Sequence, residues 1–574
     1  MDNRNIRTCI FLIAFFLAVS VASAEVAPPA ARWLPDGAVM AVEIQKPGAL
    51  LDLAVDLKIP EAIAAAPSFR GTLRDLGNMK RLLDPLGTGA GPDWKELLRK
   101  LTAGGITYVS YPGENYVILF DAQDSAALDP LVKLAQLMIH PPAGDTKIFY
   151  QDFPGGVTAW SFDGKQVFAR TNNRLVVSNH GETIKALFEP HQTSLAASPA
   201  YRGARKAAGE GAVATAFINM AMLNKYPPVA KTLEGSKDPM GILLTGVVTQ
   251  SLTKSNWIAL SLRIEGRTLS LHAATDGKPD AAGAAAFTLP PDAAHGVLPN
   301  LTVPRELASV SLWRDLGKYY SMKDVLFPEK TSGGILIENF MEIFFTGRNL
   351  TDEVFAQFHP QVRLVLARQE FDPAIGTPQE QYPAFALVFR VDHPDEFGEV
   401  VEEALQKAIG LHNFTSGQKA EPGLIIDKES YNGVNFSYCY YSARNEKDRA
   451  HLPARFNARP SLARVGQYII VSSTDGLAKD LIDAVKKEDG NASTPLPNAH
   501  TVLEISNSAD IAALLAANRN SMIREDVVKK GLKPEQAEAE FARNQMLLQR
   551  LDGAKLRVSG TSEGQQADFE LRLK

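Results

Sequence analysis

The sequence predicts an α+β protein built as two tandem related halves, each a largely antiparallel sheet with helices packed on one face. Three observations lead there: a strand-turn-strand-helix block that occurs twice, short turns joining most of the strands, and amphipathic helical stretches interspersed among them. The repeated block is Phe168-Ala-Arg-Thr-Asn-Asn-Arg-Leu-Val-Val-Ser-Asn179, which lies without a gap on Leu462-Ala-Arg-Val-Gly-Gln-Tyr-Ile-Ile-Val-Ser-Ser473 at a constant offset of 294 residues. Each copy then enters a helical pattern, Thr183 to Phe188 in the first and Leu477 to Ile482 in the second.

From the N-terminus, Arg4 and Arg7 precede an apolar run of about 12 residues, Ile10 to Val21, followed by Ala22-Ser23-Ala24. This is the pattern of a secretory signal peptide over 1–24, with cleavage between Ala24 and Glu25. The run is too short for a spanning helix, so the expected mature protein is extracytoplasmic, periplasmic or secreted, without a membrane span. Removing Cys9 with the leader leaves Cys439 as the single thiol, and one thiol makes no internal disulfide. Cys439 lies in the alternating run Val434 to Tyr441 and reads as a packed strand residue.

The first repeat spans 33–276. Val39 to Ile44 is its opening strand and leads into a helix at Pro47 to Leu57. A strand pair follows, Gly105 to Ser110 and Tyr116 to Phe120, which feeds a helix near Ser125 to Met138. The repeated block comes next, introduced by Phe153-Pro-Gly-Gly-Val157. The half closes on two alternating strands around Glu265-Gly266, where glycine supplies the positive φ of a tight hairpin. An Ala-, Gly- and Pro-rich stretch at 277–304 reads as a linker. The second repeat spans 305–574 in the same order: a strand at Ala308 to Leu312, a pair at Gln361 to Leu366 and Ala384 to Val391 separated by an insertion at 368–383, and a helix from Pro394 to Ile409. Tyr431-Asn-Gly-Val434 then introduces the second copy of the block, and a final pair surrounds Glu563-Gly564.

Leu34-Pro35-Asp36 with the strand after it, Leu175-Val-Val-Ser178, and Ser194-Leu-Ala-Ala-Ser-Pro-Ala-Tyr201 resemble a group of secreted bacterial proteins classed only as a domain of unknown function, the DUF3352-like family. The resemblance spans most of the first half and, more weakly, the second. It implies an extracytoplasmic α+β protein and brings no catalytic residues.

Composition narrows the function classes. With 574 residues, 45% hydrophobic and 22% charged, the chain has ample core for several domains. A net charge of −5 without a long basic run gives no footprint for nucleic acid or anionic lipid. No Gly-x-Ser-x-Gly elbow, His-Glu-x-x-His helix, Cys-x-x-Cys pair or Walker lysine loop is present. Gly87-Thr-Gly-Ala-Gly-Pro92 is followed by Asp93 and Trp94 and reads as a helix N-terminal turn rather than a phosphate cradle. The ten histidines are dispersed, which gives a local zinc site no support. His180 ends a strand and reads as a surface residue. His393, beside Asp392 and Asp395, reads as part of a helix cap, and Glu396, Glu399 and Glu403 read as the solvated face of the helix that follows.

Two candidates for binding remain. Tyr431, Phe436, Tyr438, Tyr440 and Tyr441 crowd one hairpin, and Tyr438, Tyr440 and Tyr441 are the tentative binding surface, suited to stacking on a glycan ring or gripping an envelope protein. The helical region from Arg519 to Leu551, divided by Pro534, is the other, as a protruding arm. The expectation is therefore a binding or scaffold protein of the bacterial envelope, with no cofactor, no metal and no catalytic residues. The alternatives are a secreted hydrolase whose site assembles from distant residues, and a carrier of a small apolar ligand between the halves.

Overall fold

The structure, a computed structural model, describes residues 29–56, 94–129, 149–153, 157–161, 166–189, 193–235, 238–326, 339, 341–489, 494–561 and 564–574. The signal segment with Ala24 and Glu25, the Gly87–Pro92 run and most of the helix expected near 125–138 lie outside these residues. The protein is α+β, and the chain divides into two compact units, one of residues 1–230 and 255–276 and one of residues 231–254 and 277–574.

In the first unit the strands are β1 (Met40–Ile44), β2 (Gly105–Ser110), β3 (Tyr116–Asp121), β4 (Phe149–Phe153), β5 (Val157–Ser161), β6 (Val167–Thr171), β7 (Arg174–Ser178), β8 (Ala214–Asn219), β9 (Trp257–Glu265) and β10 (Thr268–Thr275). Among the described residues they pair, always antiparallel, in the order β4-β5-β6-β7-β3-β2-β1-β8-β9-β10. The second unit holds β11 (Glu306–Trp313), β12 (Phe358–Ala367), β13 (Ala384–Val391), β14 (Ile425–Tyr431), β15 (Val434–Tyr440), β16 (Ser461–Val465), β17 (Tyr468–Ser472), β18 (Ala499–Ile505), β19 (Leu551–Thr561) and β20 (Gly564–Leu573). Their order is β14-β15-β16-β17-β13-β12-β11-β18-β19-β20, again antiparallel throughout. Position by position, the two strand orders coincide.

The coincidence extends to single residues. The turn between β6 and β7 places Asn172 at φ 49°, and the matching turn places Gly466 at φ 55°. Asn and Gly are the residues that tolerate this left-handed conformation in a two-residue hairpin. Counting outward from the last residue of each second strand, Ser178 faces Val117, which faces Val109, while Ser472 faces Ala386, which faces Val365. Val109 and Val117 belong to the first unit's core with Ala169 and Val176; Val365 and Ala386 belong to the second's with Ala463 and Ile470.

Helix α1 (Gly181–Phe188) covers the first of these cores with α2 (Pro199–Ala208), through Ile184, Leu187, Tyr201 and Ala204. In the second unit, α3 (Pro239–Lys254) and α4 (Pro394–Gln418) precede α5 (Asp475–Asp489), and α5 buries Leu477, Leu481, Ile482 and Val485 at helical spacing against that core. The expectation of helices on a single face does not hold here. Leu462 and Ile469 point to the opposite face from Ala463 and Ile470, and they pack with Phe397 of α4. Strands that are apolar at consecutive positions need cover on both sides.

The expected boundary also moves. Residues 277–304 belong to the second unit and are part of its core, with Phe287 and Val297 fully buried. The Ala-Gly-Pro composition that suggested a linker conceals large apolar residues set among the small ones. Helix α3, which lies within the first repeat in sequence, is also part of the second unit. Its Val247 packs with Ala284, Ala285 and Phe287. A Cβ on Gly246 would lie 3.0 Å from the Ala284 side chain, so a larger residue at this crossing would push the two elements apart by a few tenths of an ångström. Arg314, 2% exposed, donates to the Leu244 carbonyl of α3 at 3.1 Å and to the His500 carbonyl at 3.0 Å.

Helices α6 (Ser508–Ala517), α7 (Arg519–Lys530) and α8 (Pro534–Arg550) follow β18, with Gly531 at φ 65° ending α7 and Pro534 opening α8. Among the described residues no helix is long and apolar enough to cross a membrane.

Candidate functional site

A cleft of ≈ 330 Å³ opens in the second unit at the N-terminal end of α5. Its floor follows from the turn after β17. The Ser472 hydroxyl donates to the Thr474 carbonyl at 2.7 Å and accepts from the Thr474 N–H, and Thr474 Oγ1 accepts from Leu477 N–H at 3.3 Å. Threonine thus caps one of the four N–H groups that a helix start leaves unpaired. Asp475, the first helical residue, takes two hydrogen bonds of 2.7 Å from Arg459 Nε and Nη2. The carboxylate sits at the positive end of the helix dipole and in a bidentate fork, the strongest common arrangement of such a pair. The same guanidinium lies 5.5 and 5.7 Å from the ring centres of Tyr438 and Tyr440.

A second guanidinium lines the same cleft. Arg305, at φ 57° just before β11, bridges Glu370 and Asp480, the latter at 3.2 Å. Burial pushes the Asp480 carboxyl up, against the pull of Arg305, while the hydrogen bond from Arg305 holds exposed Glu370 below the usual range. Arg305 Nε is buried without a partner. The third cation, Arg368, pairs with Asp510 of α6 at 2.9 Å.

The insertion 368–383 forms one wall. Thr377 N–H donates to the Arg449 carbonyl at 2.8 Å, Leu452 N–H donates to the Thr377 carbonyl at 2.9 Å, and Arg449 Nη1 donates to the Ala374 carbonyl at 2.6 Å. Gly376, at φ 116°, passes so close that a Cβ would stand 2.2 Å from the Arg449 carbonyl oxygen, so no other residue fits. Asn457, 5% exposed, accepts from Tyr382 N–H at 2.9 Å and donates to the Glu380 carbonyl at 2.7 Å. Asn518, between α6 and α7, closes a two-bond clamp on the backbone of Gln381, at 2.9 and 2.6 Å. The wall is therefore tied to the rest of the unit by backbone and side-chain hydrogen bonds along its length.

The three tyrosines named from sequence are divided by this geometry. Tyr440 and Tyr441 line the cleft with Phe456, whereas Tyr438 lies under Arg459 and outside it. Tyr438 and Tyr440 stack at 5.9 Å along one face of β15. Tyr441 points to the other face, where its hydroxyl meets His412 Nε2 at 2.8 Å. Cys439 is fully buried and its thiol is pushed up to about 11 by burial, which removes it as a nucleophile at neutral pH. His180 is exposed at the N-terminus of α1 and makes no side-chain capping bond. His393 precedes α4 at φ 42°, and its side chain does not cap the helix; Asp392 is engaged by His359 Nε2 at 2.9 Å instead. Among the described residues no cluster of three or more His, Cys, Asp or Glu is placed to hold a metal ion.

Sequence reasoning missed Arg305, Arg368, Arg459, Asp475 and Asp480. A signal for the two aspartates lies in the offset of 294. At that offset Ala169 and Ala463, Ser178 and Ser472, and Leu187 and Leu481 are alike, whereas Thr474, Asp475 and Asp480 stand where the first copy has His180, Gly181 and Ala186.

No family model and no curated protein matches the chain. Among solved structures it is similar to TP0453 in crystal form IV at 10% identity and a TM-score of 0.25, and in crystal form III at 9% identity and a TM-score of 0.23. Both likenesses cover 44% of this chain and 81% of the other.

Proposed function

We propose that this is a duplicated extracytoplasmic binding protein of the bacterial envelope, in which one sheet framework serves twice and the second copy carries the ligand site. The carrying observation is the contrast between framework and cleft. Residues that pack the sheet keep their character between the copies, and residues that line the cleft at the start of α5 do not. A framework position is held by packing in both copies; a position that gains a carboxylate in one copy alone, and an arginine fork to hold it, answers to something other than folding. The arginine-carboxylate pairs fix polar atoms in space, which suits recognition more than proton transfer. Within this reading the leader directs export, and the arm formed by α7 and α8 stands beside the cleft wall that Asn518 clamps.

The test is a thermal-shift screen of the purified chain against a library of sugars, amino acids, short peptides and nucleosides, repeated on Arg459→Met. A compound that raises the melting temperature of the parent and not of the variant places binding at the cleft. Hits that act equally on both contradict the assignment.

A further inference from the structure

The ligand class follows from how the cleft balances its charges. Each of the three guanidiniums already has a carboxylate: Arg459 has Asp475, Arg305 has Glu370 and Asp480, and Arg368 has Asp510. An anionic ligand would compete with carboxylates already in place, and would meet a cleft in which carboxylates outnumber guanidiniums. A cationic ligand would have to draw those carboxylates out of geometries that are bidentate or bridged. What these pairs offer is uncommitted hydrogen-bonding capacity at fixed positions. The Arg459 fork uses Nε and Nη2 and leaves Nη1, and each paired carboxylate keeps lone pairs beyond those it spends.

Beside this polar array lies the half-buried ring of Tyr440, while Tyr441, turned to the other face, packs on Phe456 at 6.1 Å. Tyrosine combines a flat apolar body with a polar tip. A neutral ring that is apolar on its faces and carries hydroxyls around its edge answers both halves of this surface, and its volume suits a cleft at the small end of the range for ligand pockets, about 300–1,000 Å³. We infer that the cleft binds an uncharged saccharide, stacked on Tyr440 and held at its hydroxyls by Arg459, Asp475 and Asp480. This rests on the reading of the cleft as a ligand site and names the class it takes. The insertion 368–383 then has a purpose: it supplies Glu370, which fixes Arg305, and its Gly376 lets the wall close against Arg449.

Isothermal titration of the full chain with defined probes tests this. The neutral probes are tetramers of β-1,4-linked N-acetylglucosamine, β-1,4-linked glucose and α-1,4-linked glucose; the comparators are the galacturonic acid tetramer, which adds a carboxylate to a similar ring, and tetra-alanine. A neutral tetramer is expected to bind, the galacturonate tetramer to bind at least about tenfold more weakly, and Tyr440→Ala to weaken the neutral tetramer by about tenfold. Tyr440→Phe keeps the ring and is expected to keep most of the affinity, which separates stacking from misfolding. Binding of galacturonate or tetra-alanine in preference, lost in Tyr440→Ala, overturns the saccharide class and leaves the cleft as a binding site. Absence of binding by all three neutral tetramers overturns the saccharide class, and with no cleft-dependent hit in the library screen the binding reading falls too.

Discussion

Ser178 and Ser472 hold the same turn in the two units: each ends a strand, and each hydroxyl accepts from the N–H of the residue two positions on, His180 or Thr474, while the Ser472 proton goes to the Thr474 carbonyl at 2.7 Å and that of Ser178 to the nearer Tyr116 carbonyl of β3 at 2.6 Å. Both are buried, at 0% and 3% exposure. The turn they hold sets the start of α1 in one unit and of α5 in the other, and the second start carries Asp475 into the cleft where the first has Gly181.

Replacing either serine by alanine therefore takes the hydroxyl partner from buried backbone groups, and each is expected to cost about 1 kcal/mol of stability. Their functional effects should part. Ser472→Ala loosens the turn that positions Asp475 and is expected to weaken any cleft ligand, whereas Ser178→Ala leaves affinity unchanged. Urea unfolding and ligand titration on the two variants check both statements.

Among the described residues of the second unit, Arg363 of β12 and Glu488 of α5 form the most buried ion pair, with side chains 2% and 11% exposed and Arg363 Nη1 within 2.8 Å of both carboxylate oxygens. The guanidinium also lies 5.1 Å from the Tyr468 ring centre. Removing one partner strands the other, so Arg363→Met or Glu488→Leu alone is expected to cost about 3–5 kcal/mol, and the double variant much less than the sum. Additive losses in a urea double-mutant cycle would show that the two groups do not depend on each other.

His500 titrates far from its ordinary range. Burial, with Arg314 nearby, holds its folded pKa down to about 4, and Nε2 lies 2.9 Å from Gln565 Oε1. In the unfolded chain the imidazole takes its proton near pH 6.5. The unfolded state thus binds more protons as pH falls below 6.5, and the stability that neutral His500 contributes, complete above that pH, is lost progressively down to about pH 4. The loss attributable to this residue is about 3 kcal/mol across the window. Unfolding measured at pH 7 and pH 4.5 should show a smaller pH dependence in His500→Gln than in the parent.

Helix α3 is expected to fold with the second unit. Phe287, fully buried against it, anchors the contact, and Phe287→Ala should cost about 3–5 kcal/mol. In hydrogen exchange this variant should lose protection over 239–254 and keep it in β8 and β9. Equal loss in all three would show that the helix belongs energetically to the sequence around it.

The repeated block was legible because strands and tight turns leave local marks. Asn172 and Gly466 occur where the backbone needs a positive φ, and the apolar spacing of Leu477, Leu481 and Val485 is that of one helix face. The membership of α3 and of 277–304 was not legible, since nothing local distinguishes an apolar helix that covers its own half from one that covers another part of the chain. The site was half visible. Tyr440 and Tyr441 stood out as aromatic residues in a strand, but Arg305 and Asp480 are 175 residues apart and no local pattern joins them. What sequence does hold is the difference between two copies at Asp475 and Asp480, and that difference marks the cleft.

The most direct test is hydrogen–deuterium exchange of the whole chain with and without each neutral tetrasaccharide at saturating concentration. The account predicts that a binding probe slows exchange in residues 367–377, 456–459 and 474–480, with residues 180–188 of the first copy unaffected. Slowing at 180–188, or none around the cleft with a sugar that binds, would contradict it.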